Sequence, residues 1–176
     1  ALRGYIVKTL KDNGKEVLEN PKDVFVSYQL DPEENDELRY DVAIGSTNFS
    51  NLVSQYYENN TTLFDKINHY GAQAVFLAFP YNNISAEHQK TILDFRYALE
   101  DRIEKEILDT DGLGLLLGGA IGTCCCYMDF LLYDVKGFIE KVLPVLREYP
   151  QYSFYLSDFR QHCQLIRLTD AEMEDC

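Results

Sequence analysis

Residues 112–134, GLGLLLGGAIGTCCCYMDFLLYD, decide the fold of this chain, since they hold half of its ten glycines, three of its five cysteines and an uncharged run of 17 residues at 112–128. On a strand, successive side chains point to opposite faces. In the second half of the stretch Cys124, Cys126, Met128, Phe130 and Leu132 therefore share one face, and Cys125, Tyr127, Asp129, Leu131 and Tyr133 the other. Both faces are largely apolar, which predicts a central strand covered on both sides. Gly118, Gly119 and Gly122 lie between two apolar segments, 113–117 and 124–133, and predict a hairpin that turns on them. A membrane helix is the competing reading, but the uncharged run is short for a span, Asp129 follows it and neither flank is basic.

Working outward, residues 85–108 carry Ile92, Phe95, Leu99, Ile103 and Ile107 at helical spacing behind a Ser85 N-cap. The charged group Glu100, Asp101, Arg102, Glu104, Lys105 and Glu106 reads as the solvated face of that helix. Residues 74–79 (AVFLAF) predict a buried strand, 135–149 a helix that contains Pro144, and 152–156 and 163–168 two further strands. From 74 to 156 the order is strand, helix, strand, strand, helix, strand, the split βαβ arrangement of a ferredoxin-like α+β layer with its helices on one face. Upstream, 24–30 and 38–44 alternate apolar and polar residues and predict an N-terminal hairpin that extends the sheet, with short helices near 52–57 and 63–70 after it. Residues 5–10 add a possible edge strand, through which a homodimer could pair. The expected organisation is 1–72 as an N-terminal hairpin and helical segment packed on a main domain at 73–170, with an acidic tail at 171–176.

With 29 acidic and 16 basic residues the formal net charge is -13, which disfavours nucleic acid and acidic membrane surfaces. Five acids, Asp31, Glu33, Glu34, Asp36 and Glu37, crowd the connection between the two hairpin strands and form the candidate binding residues for a basic protein partner. The five cysteines do not have the spacing of a disulfide framework, and adjacent cysteines on a strand diverge, so a reducing cytoplasmic compartment and no metal or cofactor are expected. No phosphate loop, dinucleotide fingerprint or nucleophile–base spacing is present. Asp129, inside an apolar strand with Tyr127 on the same face, is the one candidate for catalysis, set against the plainer reading of an Asp at a sheet edge or paired to Lys or Arg.

The segments Leu99-Glu100-Asp101-Arg102-Ile103 and Met128-Asp129-Phe130-Leu131-Leu132-Tyr133-Asp134 resemble a bacterial domain family of unknown function, family 695, over roughly the second half of the chain. That resemblance implies a cytoplasmic bacterial α+β domain and brings no catalytic residues with it. The cysteine run and the acidic connection depart from it. Two expectations follow: a non-enzymatic protein-interaction or regulatory module that uses the acidic connection, or, as the alternative, a small hydrolase-type enzyme that uses Asp129 and Tyr127.

Overall fold

The computed structural model describes residues 25–172; the expected strand at 5–10 and most of the acidic tail lie outside them. Seven strands form one antiparallel sheet: β1 (Val26–Gln29), β2 (Val42–Thr47), β3 (Gln73–Pro80), β4 (Gly114–Gly122), β5 (Cys125–Leu132), β6 (Phe154–Asp158) and β7 (Ile166–Thr169). Their order is β1-β2-β4-β5-β3-β6-β7, so the hairpin partners β4 and β5 and the strand β3 occupy the middle. The N-terminal hairpin joins this same sheet, because β2 pairs with β4 in the register Gly45↔Ala120 and Thr47↔Gly118. Among the described residues four α-helices accompany the strands: α1 (Ser50–Tyr57), α2 (Thr62–His69), α3 (Ala86–Ile103) and α4 (Val135–Leu146).

The alternation of β3 and β5 builds two cores. Val75, Leu77, Phe79, Met128, Phe130 and Leu132 meet Ile92, Leu99 and Ile103 of α3 and Phe138, Val142 and Leu146 of α4. On the opposite face Ala74, Phe76, Tyr127 and Leu131 meet Leu52, Val53 and Tyr56 of α1 and Leu63, Phe64 and Ile67 of α2. Each fully buried Leu, Ile or Phe contributes about 1.5–3 kcal/mol by leaving water, so both layers are strongly held. The expectation of helices on one face holds for α3 and α4 only. The weakly patterned helices α1 and α2 cover the other face, where an unprotected row of Phe76, Tyr127 and Leu131 would otherwise meet water.

A second correction concerns the glycines. Gly118, Gly119 and Gly122 do not form the turn: β4 runs straight through them, with one irregularity between Leu116 and Gly118, and the chain reverses at 123–124. They serve close approach instead. A Cβ on Gly119 would run into Glu100 Oε1 of α3 and the Tyr127 carbonyl, and one on Gly122 into the Asp41 carboxylate. A glycine inside a strand marks such a site, where another group presses onto the backbone.

Helix α3 starts as expected, with the Ser85 hydroxyl accepting from the His88 N–H at 3.1 Å. It then widens into a π-helical turn, Glu104–Asp109, which brings Ile107 and Leu108 inward together. The Asp134 side chain caps α4 by accepting from the Gly137 N–H at 2.8 Å. Pro144 is exposed within α4, which runs on for two residues beyond it. Among the described residues no helix is long and apolar enough to cross a membrane; the uncharged run of 112–128 is strand and turn.

Candidate functional site: an acidic loop on a buried stem

Between β1 and β2 the chain does not make a tight hairpin. Residues 31–36 project into solvent, while 38–41 dive beneath α1 and form a stem. Asp31, Glu33, Glu34 and Asp36 are all exposed, and none pairs with a cation among the described residues. Glu37 is half-buried and meets His162 Nδ1 at 2.8 Å, tying the loop to the β6–β7 connection. Inside the loop the Glu33 N–H donates to the Tyr40 carbonyl at 2.7 Å, so its base is closed by the backbone.

The stem is held by charge and by tyrosine. Arg39 is completely buried with a left-handed backbone, φ 71°, a conformation that non-glycine residues keep only where their surroundings fix it. Its Nη1 donates to Asp129 Oδ1 at 2.6 Å and its Nη2 to Asp129 Oδ2 at 3.2 Å, a two-pronged pair in which both carboxylate oxygens are occupied. The guanidinium carbon lies 4.5 Å from the ring centre of Phe159, 5.1 Å from Tyr127, 5.3 Å from Phe76 and 5.7 Å from Tyr56, an aromatic box that favours a cation. Burial is the largest single influence and opposes the charge on Arg39, but Asp129 together with Tyr28 and Tyr57 outweighs it and the guanidinium stays protonated.

Three tyrosine hydroxyls close the stem. Tyr56 donates to the Leu38 carbonyl and Tyr57 to the Arg39 carbonyl, each at 2.8 Å, while Tyr127 accepts from the Arg39 N–H at 3.0 Å and donates to Asp41 Oδ1 at 2.5 Å. Burial raises the pKa values of Tyr56, Tyr57 and Tyr127, so the hydroxyls remain protonated donors throughout the physiological range. Asp41 Oδ2 accepts from the backbone N–H groups of Cys124 and Cys125 at 3.1 and 2.9 Å and from the Cys124 thiol at 3.4 Å. The stem is thereby bolted to the turn between β4 and β5.

Asp129 and Tyr127 thus lie together, but inside the packing under α1. Both oxygens of Asp129 face Arg39, and the Tyr127 hydroxyl spans Arg39 and Asp41. Asp41, Cys124 and Cys125 bring three ligand-type atoms within 4.8 Å of one another. Burial and the Asp41 charge raise the Cys125 thiol to about 12, and Asp41 is already satisfied by its donors, so this corner favours a protonated thiol over a metal-binding thiolate.

Sequence reasoning did not single out Arg39, Asp41 or Arg96, and it placed Glu100 on the solvated face of α3. Glu100 is in fact buried beside Arg96, with Arg96 Nε and Glu100 Oε1 3.1 Å apart. The signal was present: 92, 96, 99, 100 and 103 all fall on one helical face, and two of those positions are charged. No protein-family model matches this chain, and neither a curated protein nor a solved structure is detectably similar to it.

Proposed function

We propose that the protein is a non-enzymatic interaction or regulatory module that presents the acidic loop, residues 31–37, to a basic protein partner. The observation that carries this reading is the contrast between the loop and its stem. Four exposed carboxylates have no cation partner among the described residues, whereas the residues beneath them are fixed by a buried ion pair and three tyrosine hydroxyls. A loop already ordered loses little conformational entropy on binding, and clustered charge steers and orients an oppositely charged partner. The order β4-β5-β3-β6, with α3 and α4 on one face, supports a ferredoxin-like reading of the main layer. A cytoplasmic bacterial setting follows from the resemblance to family 695, and pairing of two copies through a sheet edge is a further proposal. The hydrolase reading draws no support from the geometry, since Asp129 directs both oxygens at Arg39. Replacing Asp31, Glu33, Glu34 and Asp36 by their amides should release a basic protein captured from native lysate by the wild type; undiminished capture would overturn the proposal.

A further inference from the structure

On the face opposite the stem, the first half of α3 stands off from β2 and leaves a cavity of about 300 Å³, at the lower end of the roughly 300–1,000 Å³ typical of small-molecule sites. Leu93, Ile44, Ile121 and the ring of Tyr97 give it an apolar wall, with Gln89 and Lys90 along α3. Arg96 also lines it, although its side chain is only 2% exposed. Its Nε and Nη1 find no acceptor, and Glu100 Oε1, though close, is not aligned to take a hydrogen bond. Burying a guanidinium with two idle N–H groups costs free energy that a bound acceptor would recover.

Gly119 makes this arrangement possible, because only a residue without a Cβ lets Glu100 and Arg96 lie against β4. Burial raises the Glu100 carboxyl to about 8, against the opposing effect of Arg96. Its negative charge is therefore disfavoured, which weakens the compensation it gives Arg96.

We propose that this cavity binds a small organic carboxylate, whose charged end is drawn to the buried Arg96 guanidinium that lines it and whose hydrocarbon arm lies along Leu93, Ile44 and Ile121. Guanidinium and carboxylate match in charge and planar geometry, and the apolar wall supplies the area that a bare inorganic anion could not use. The proposal goes beyond the partner reading and does not depend on the acidic loop.

Hexanoate is the probe, titrated into the full chain near neutral pH and followed through backbone amide shifts, with hexylamine and inorganic phosphate as comparisons. The expected result is saturable binding of hexanoate, with shifts confined to α3, β2 and β4, and at least about tenfold weaker binding of the other two. Arg96→Gln should weaken hexanoate about tenfold or more. Leu93→Trp, which fills the cavity and leaves Arg96 in place, should abolish binding and serves as the deciding variant if Arg96→Gln does not fold. No saturation by about 10 mM hexanoate, equal binding of hexylamine, or full binding by either folded variant would overturn the proposal.

Discussion

Arg39 and Asp129 stand 90 positions apart and pair at a point where neither touches water. Removing one member of a buried pair strands the other charge, at a cost of about 3–5 kcal/mol. Asp129→Asn is therefore expected to lower stability in urea by about 3 kcal/mol, and the double replacement Arg39→Met, Asp129→Leu to restore much of it. A change below about 0.5 kcal/mol for Asp129→Asn would mean that the pair does not hold the stem. Glu100 behaves differently. Its carboxyl is raised from the ordinary value to about 8, so the folded chain keeps a proton that the unfolded chain releases above about 4.5. The stabilisation from this proton is complete below about pH 4.5 and is lost progressively as pH rises from there to about 8, at up to about 1.4 kcal/mol per pH unit. Glu100→Gln should remove that component of the slope, so that the variant gains on the wild type between about pH 5 and pH 8 and runs parallel to it above that in denaturation measurements; parallel profiles across that window would contradict the burial argument. Asp129 was visible in the sequence as an oddity in an apolar strand; of its two plainer readings, pairing with a cation holds and a place at the sheet edge does not, since β5 is central. Arg39 was not visible, because nothing local marks a residue whose partner arrives through long-range folding.

At the scale of elements, local signals served well wherever the pattern was strong. Ser85 caps α3, the two faces of β5 sort as the alternation predicts, and β3 ends at Pro80. They failed where a residue's role depends on what packs against it. The glycines of β4 carry the same composition as a turn, yet they lie within a central strand because Glu100 and Asp41 press onto it. Gly119→Ala should accordingly destabilise the protein by about 1–3 kcal/mol through steric overlap, as measured by thermal or urea unfolding, while an alanine in a true turn position of that hairpin would disturb only the reversal. A neutral Gly119→Ala would show that the side chains of α3 do not rest on β4. The hairpin of β1 and β2 was legible, although β2 begins later than the alternation suggests, since 38–41 are diverted into the stem.

For the whole molecule, the sheet separates two uses of charge. One face and its loop combine a buried ion pair and its tyrosine network, in which only the Arg39 Nε lacks a partner, with an exposed acidic surface; the other holds a buried cation and carboxyl whose hydrogen-bonding capacity is used less fully. The class α+β, the central position of β5 and its coverage on both faces were readable from periodicity, whereas the identity of the helices that cover the second face was not, because α1 and α2 are short and interrupted. The central claim is that the acidity of one loop, and not the net charge of the chain, selects a partner. The most direct measurement is quantitative capture from native lysate with three folded proteins: wild type, a loop variant with Asp31, Glu33, Glu34 and Asp36 amidated, and an equal-charge control with the exposed Glu87, Asp94, Asp109 and Glu140 amidated. The account predicts that a basic protein captured by the wild type is retained by the control and lost by the loop variant. Equal loss from both variants, or retention by both, would contradict it.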